Sequence, residues 1–246
     1  MGNLIFSDMF PQSDEWRRLD NMCGSIIYVG TSTSTCFRKR SRLRKSEFYG
    51  ETIMTDKIQN AYHDSKNIYD GVLTQGNIFS KLYIKLFWSG TDDNEIARKV
   101  LSYIPNDFDG ELLDVPVGTA VFTEAKWEAL ANAKITCLDY SEDMLAQAQA
   151  RLAECQHISF IQGDVGNLPM EDETYDIVVS MNGFHAFPDK ERAFRETWRV
   201  LKNGGTFIAC FYIKEKSKIT DWLVKNILSK KGWFTSNVKN ISEIFS

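Results

Sequence analysis

A short apolar segment that ends in an acid and a tight turn constrains the fold of this 246-residue chain more than any other feature. The segment is Glu111-Leu-Leu-Asp114, and the turn Val115-Pro-Val-Gly-Thr-Ala120 follows it. A helical stretch leads to a second strand, residues 135–139, which also ends in an acid, Asp139. Strand, glycine turn, helix, strand and carboxylate in this order predict a parallel crossover with a crevice for a nucleoside.

The acid at the end of the first strand selects among nucleoside ligands. A dinucleotide would bring its pyrophosphate to the turn, where Asp114 would repel it. A nicotinamide dehydrogenase also needs three spaced glycines, and Pro116, Gly118 and Val121 stand at those positions. S-adenosylmethionine carries a sulfonium and an ammonium group, both of which Asp114 would attract. The residues therefore favour S-adenosylmethionine over NAD.

Four later segments extend this interpretation across the second half of the chain. With Leu112–Ala120, the sequence resembles the class I S-adenosylmethionine-dependent methyltransferases, in the small-molecule branch that includes the ubiquinone and menaquinone C-methyltransferases. The later segments are Cys137–Leu145, Phe160–Pro169, Tyr175–Phe187 and Glu196–Phe207. The resemblance implies an α/β fold with a Rossmann-like, doubly wound and mostly parallel sheet of strand order 3-2-1-4-5. It also implies in-line transfer of a methyl group to a small-molecule acceptor.

Each candidate cofactor-binding residue follows from its place in these segments. Gly118 lets the backbone approach the methionine part of the cofactor, and Pro116 and Ala120 replace two glycines that the family usually has. Asp114 would face the ammonium group, and Asp139 would accept both ribose hydroxyls. The remaining predicted cofactor-binding residues are Thr119, Tyr140, which would flank the adenosine, Asp164 and Val165, which would meet the adenine, and Ser180 and Asn182 after the fourth strand.

His185 is the candidate catalytic residue. It follows the fourth core strand, at the switch point where open α/β sheets bind ligands. Its predicted role is to orient the acceptor or to take its proton, and the alternative is a structural histidine bonded to a loop. The sequence predicts no metal site.

The pattern of apolar residues and turns divides the chain into four parts. They are a poorly structured leader (1–53), a helical cap or lid (54–104), the methyltransferase core (105–229) and a short polar tail (230–246). Core strands are predicted at 111–115, 135–139, 158–161, 175–180 and 206–213, and core helices at 120–131, 142–154, 189–201 and 217–229. Ser141 and Asp189 are predicted to cap two of these helices.

The end of the chain departs from the family pattern. Members usually add an antiparallel hairpin after the fifth helix, but residues 229–246 are polar and too short for two strands. The edge of the fifth core strand would then be bare. Two partners are considered for it: the leader segment Ser25–Val29, the only strand-like run in the leader, or another subunit in a homo-oligomer.

Composition excludes several function classes. The net charge of −4 disfavours a nucleic-acid partner. No apolar run approaches the length of a membrane span. Five cysteines without a CxxC pair are typical of reduced thiols, and predict a cytoplasmic protein. Because the hairpin is missing and the turn is altered, a degenerate domain that has lost turnover is the alternative to a working enzyme.

Overall fold

The computed structural model describes residues 17–22, 25–31, 93–184, 186–212 and 218–229. Two predictions lie outside these residues: the role of His185, and the helices expected between residues 54 and 92. No helix in the described ranges is long and apolar enough to cross a membrane.

The described elements alternate between strand and helix after residue 92. The strands are β1 (Arg17–Met22), β2 (Ser25–Thr31), β3 (Glu111–Asp114), β4 (Lys134–Asp139), β5 (Ile158–Gln162), β6 (Tyr175–Met181) and β7 (Leu201–Tyr212). The helices are α1 (Asp93–Leu101), α2 (Glu124–Ala129), α3 (Glu142–Arg151), α4 (Lys190–Arg199) and α5 (Lys218–Leu223), and a π-helical turn, Val224–Leu228, continues α5. The predicted caps are confirmed: Ser141 accepts a hydrogen bond from the Met144 amide and Asp189 accepts one from the Arg192 amide.

All seven described strands form one sheet of order β1-β2-β7-β6-β3-β4-β5. The five core strands, β5-β4-β3-β6-β7, are parallel throughout, which confirms the predicted order 3-2-1-4-5. In register, Asp114 lies beside Cys137 and Asp139 lies beside Gln162, so the two acids end neighbouring strands at the same edge of the sheet.

Alternate residues of the core strands pack on opposite faces of the sheet. Leu112 and Ile177 join α1, α2 and α3 in one buried cluster, and Leu113 and Val178 join α4 in the other. A sheet buried on both faces explains why its strands are nearly continuous apolar runs.

The edge of β7 is covered by the leader. Residues Ser25–Thr31 pair antiparallel with β7, from Ser25 beside Tyr212 to Thr31 beside Thr206, and β1 pairs antiparallel with β2. Of the two partners considered for this edge, the structure has the leader segment. A hairpin that precedes the core in sequence therefore protects the strand that a hairpin after the core was expected to protect.

Two predicted boundaries are wrong for reasons visible in the backbone. The helix expected from residue 120 begins at Glu124, because Ala120 is left-handed (φ 59°) and cannot belong to a right-handed helix. The last core strand was expected from 206 but begins at Leu201. Tyr175 pairs with Leu201 and Ile177 with Thr206, and this shift takes up the extra residues around Gly204 (φ 85°).

Candidate cofactor site

A cleft opens at the carboxyl ends of β3, β4 and β6, where the predicted switch point lies. Eight of the ten predicted cofactor-binding residues line it between the end of β3 and the loop after β5: Asp114, Pro116, Gly118, Thr119, Asp139, Tyr140, Asp164 and Val165. Asn182 also lines it, whereas Ser180 does not. The fold therefore brings nine of the ten predicted residues to one cavity.

The turn after β3 is held between the two neighbouring strands. The Val115 amide donates to Val179 O (2.9 Å), and the Val117 amide donates to Leu138 O (2.9 Å). Gly118 has φ 58°, and a Cβ at this position would meet no atom within 4 Å. Open space beside a left-handed glycine leaves the backbone accessible to a ligand in the cleft.

Asp139 organises the floor of the cleft through both of its oxygens. Oδ2 accepts a hydrogen bond from the Gly118 amide (2.8 Å) and Oδ1 accepts one from the Ser141 amide (2.9 Å). Its side chain is almost fully buried, and this burial raises its pKa to about 6 even though the backbone amides favour the charged form. Each oxygen keeps a further lone pair, so the carboxylate still has acceptors for two hydroxyl groups.

Asp114 is the more deeply buried of the two acids, with 1% of the residue exposed. Its Oδ2 accepts a hydrogen bond from the indole Nε1 of Trp127 (2.9 Å). Burial raises the pKa of Asp114 to about 7, the Trp127 and Thr123 side chains lower it, and the charge of Asp139 raises it further. Among the described residues, no lysine or arginine forms an ion pair with either acid.

The loop after β5 is fixed by its own acid and by α4. Asp164 Oδ1 accepts a hydrogen bond from the Gly166 amide (2.8 Å) at the start of a 3₁₀ turn, Val165–Asn167. Arg199 donates to Leu168 O (3.0 Å) and Met170 O (2.8 Å), and Glu196 accepts from the Leu168 amide (2.9 Å). This network holds the predicted adenine-binding loop against α4.

The end of β6 contributes a strained asparagine. Asn182 has φ 55°, and its buried Oδ1 has no hydrogen-bond partner among the described residues. Ser180 is fully buried, and its hydroxyl likewise lacks a partner in the described part of the chain. At Gly183 a side chain would collide with the Pro116 ring and approach Phe187 within 2.9 Å, so the β6 loop and the β3 turn touch there through a glycine.

Sequence reasoning missed part of the cleft and its main support. The unpredicted lining residues include Val117, Phe122, Thr123, Met144, Met181, Gly183, Phe187 and Pro188. Trp127 was not singled out either, although a tryptophan on a short helix directly after the acidic turn is a donor that could reach Asp114. No sequence signal pairs these two residues, because their contact depends on the rotamers of both side chains.

The residues present fit S-adenosylmethionine. The cleft offers two buried carboxylates that no lysine or arginine of the described residues pairs with, an open glycine turn between them and a mostly apolar wall. A ligand with a cationic end and a ribose matches this set of acceptors, because buried carboxylates ordinarily have a cationic partner and none of the described residues supplies one here.

Comparison with known proteins gives the same assignment. Residues 113–209 match the family model described as a methyltransferase domain. The chain is 36% identical over 140 residues to a demethylmenaquinone methyltransferase of Staphylococcus epidermidis, covering 56% of each chain. It is 30% identical over 152 residues to a malonyl-[acyl-carrier protein] O-methyltransferase of Geobacter sulfurreducens, covering 61% of this chain and 51% of that one.

A solved structure shares the fold. The [4+2]-cyclase SpnF superposes with a TM-score of 0.53 at 21% identity, covering 66% of this chain and 62% of that chain. The chain spans about half the length of the curated relatives it matches. From the matched family model, the sheet order and the acid-lined cleft together, residues 113–209 form a methyltransferase domain with the fold of the class I S-adenosylmethionine-dependent enzymes.

Proposed function

We propose that this chain transfers a methyl group from S-adenosylmethionine to a small-molecule acceptor. The observation that carries the proposal is the pair of buried acids, Asp114 and Asp139, that line one cleft and form no ion pair within the described part of the chain. A bound cationic adenosyl ligand would supply the missing charge. Asp139 would hold the ribose hydroxyls, Asp114 the ammonium group, and the loop at Asp164 and Val165 the adenine.

In-line displacement needs alignment more than it needs proton transfer. The cofactor, when bound, supplies a methyl group that its sulfonium already makes electrophilic. The chain would hold the donor by the acids and the Gly118 turn while apolar groups such as Phe187 and Met181 exclude water. Positioning of this kind can supply about 7–11 kcal/mol of the barrier in favourable cases.

A small apolar acceptor is favoured by the wall of the cleft. Phe122, Met181, Phe187 and Pro188 line it together with the acids, and none of them carries a charge. Two relatives are named for methyl transfer to demethylmenaquinone and to malonyl-[acyl-carrier protein], and the apolar wall fits the first better, so hydroquinones are the first acceptors to test. His185 would act on the acceptor rather than on the cofactor, and H185Q tests this by turnover.

The alternative proposal is a degenerate domain without turnover. One of its two motives was a missing edge hairpin, and the described sheet has β1 and β2 at that edge. A homo-oligomer would have to use the β1 edge or another surface. We also propose a cytoplasmic location, for which the free cysteines 137, 155 and 210 among the described residues are the support.

Two experiments separate these functions. Calorimetric titration with S-adenosylmethionine should show micromolar binding to a folded sample, and D139A should weaken it about 100-fold. Transfer of a labelled methyl group to a panel of hydroquinones, phenols and amines should then identify the acceptor. Binding without transfer to any acceptor, including those in a whole-cell extract, would support the degenerate domain, and absence of binding would contradict the cofactor assignment for this chain.

A further inference from the structure

The indole of Trp127 is aimed at the acid that would receive the cofactor's ammonium group. Trp127 lies on α2, is fully buried, and belongs to the core cluster between the sheet and helices α1 to α3. Its amide donates to Thr123 O (2.9 Å) and its carbonyl oxygen lies 2.9 Å from His157 Nε2. The indole Nε1 donates to Asp114 Oδ2 at 2.9 Å, and both groups are buried.

A purely structural role would not need an acid as the acceptor. A buried tryptophan needs one hydrogen-bond acceptor, which a backbone carbonyl supplies without charge. A buried carboxylate without a cation is costly, and its burial is offset only in part by neutral donors. We therefore interpret the hydrogen bond as one in which Trp127 stabilises Asp114, because the tryptophan alone would not require a carboxylate as its acceptor.

We propose that Trp127 is a positioning residue for the methionine end of the cofactor: its indole N–H fixes the Asp114 carboxylate in a single orientation and favours its charged form. The inference rests on the proposed function, in which Asp114 contacts the ammonium group. Trp127 itself contacts no part of the ligand in this proposal. It acts through Asp114, and the ribose and adenine contacts are independent of it.

The ionisation of Asp114 responds to a small set of groups. Asp139 on β4 raises its pKa, while the neutral side chains of Trp127 and Thr123 lower it. Cys137, its neighbour on β4, is a buried thiol whose own pKa is raised by burial and by Asp114. Loss of the indole donor would raise the pKa of Asp114 above about 7, so that less of the acid is charged at neutral pH.

Two related ligands isolate this effect. S-adenosylhomocysteine carries the amino-acid end of the cofactor, whereas 5′-methylthioadenosine has the same adenosine and sulfur without it. We expect W127F to weaken binding of S-adenosylhomocysteine about tenfold at pH 7, the worth of one charge-assisted hydrogen bond. Binding of 5′-methylthioadenosine should change less than about twofold, and raising the pH to 8.5 should restore part of the lost affinity.

The matched control is I104V, which removes a methyl group from the same core cluster without removing a donor. It should leave both affinities and their pH dependence unchanged. Equal weakening of both ligands by W127F, or unchanged affinity for S-adenosylhomocysteine, would overturn the inference. Wild-type protein that binds neither ligand would instead overturn the proposed function.

A second measurement needs no folded W127F protein. In protein labelled with ¹⁵N-tryptophan, the Trp127 indole resonance should shift with pH around 7 and should move on addition of S-adenosylhomocysteine. It should move much less with 5′-methylthioadenosine, and D114N, which identifies the resonance, should remove its pH dependence. An indole resonance that responds equally to both ligands would contradict the inference.

Discussion

The carboxylates at the two ends of the parallel sheet differ in their partners and in the direction of their pKa shifts. Near the start of β6, Asp176 accepts a hydrogen bond from the Glu111 amide (2.9 Å) and forms an ion pair with Lys202 (2.8 Å). Burial alone would raise the pKa of Asp176, but the Lys202 and backbone hydrogen bonds lower it overall. At the other end Asp114 and Asp139 have no cation in the described residues, and burial raises their pKa to about 7 and about 6.

The difference is between an acid that has a cationic partner within the protein and two acids for which the proposed ligand would supply the positive charge. Asp176 is more than a third exposed and already has Lys202 as its cationic partner. Its ion pair therefore contributes little to the free energy of unfolding, and Asp176 needs no ligand to balance its charge. Asp114 and Asp139 destabilise the free protein when charged, because no positive charge on the described residues offsets their desolvation. A cationic ligand would offset the desolvation of these carboxylates, so the free energy that they cost the unliganded protein would be regained on binding.

The largest expected effect is on ligand affinity, when an acid at the cleft end is removed and compared with removal of an acid at the opposite end. D139A should weaken binding of S-adenosylhomocysteine by about 100-fold, because the ribose contacts and the anchor of the Gly118 turn are lost together. D176A should leave that affinity within about twofold and lower stability slightly. Calorimetric titration of both variants makes the comparison, and equal losses at the two ends would break it.

The second effect separates stability from binding. The folded pKa of Asp114, about 7, lies above its ordinary value of 3.8, so its contribution to stability is largest below pH 4 and declines as the pH rises toward 7. D114N removes this decline and keeps an oxygen for Trp127. We expect the urea-measured unfolding free energy of D114N to gain about 2 kcal/mol on wild type between pH 5 and pH 8.

The same variant should bind S-adenosylhomocysteine about tenfold more weakly at pH 8, because its neutral amide cannot pair with an ammonium group. Stability and affinity would thus move in opposite directions. A D114N protein that is less stable than wild type at pH 8, or one that binds as tightly, would show that the carboxylate is not an unpaired charge held for a ligand.

The backbone extends the comparison at a smaller scale. Each end of the sheet has a left-handed residue: Ala120 (φ 59°) beside the cleft and Gly204 (φ 85°) at the opposite end. A120G should raise the unfolding free energy by about 0.5–1 kcal/mol, since glycine tolerates this conformation, and G204A should lower it by about 1 kcal/mol. Thermal unfolding of the two variants checks both signs, and a less stable A120G would contradict the stated strain.

The smallest effect is expected at the ion pair. K202M should lower the unfolding free energy by less than about 1 kcal/mol, since both partners are more than a third exposed. High salt should remove most of the difference between K202M and wild type. A loss of several kcal/mol would place this end of the sheet in the same class as the cleft and would weaken the comparison.

The sheet could be predicted well from the sequence because parallel strands buried on both faces are continuous apolar runs, which are easy to recognise. The apolar runs that end in Asp114 and Asp139 predicted the parallel crossover and the cleft, and the resemblance to the methyltransferase family implied the strand order. The resemblance added Asp164, and the switch point after the fourth core strand added Asn182. Edge pairing by the leader segment Ser25–Val29 was one of two options, because the sequence separates it from β7 by more than a hundred residues and no local pattern sets its partner.

What the sequence did not predict depends on dihedral angles and rotamers. Ala120 suits a helix by propensity, yet the turn forces it into a left-handed conformation and delays α2 to Glu124. Ser180 was expected in the cleft, but the strand turns it into the core. Trp127 reaches Asp114 across thirteen positions only once α2 is packed.

The most direct test of the central claim is a crystal structure with S-adenosylhomocysteine. We predict that the ribose hydroxyls lie within hydrogen-bond distance of Asp139, that the amino group lies against Asp114, and that the Trp127 indole still donates to Asp114. A ligand that binds outside this cleft, or one whose amino group avoids Asp114 while the cleft is occupied, would contradict the account.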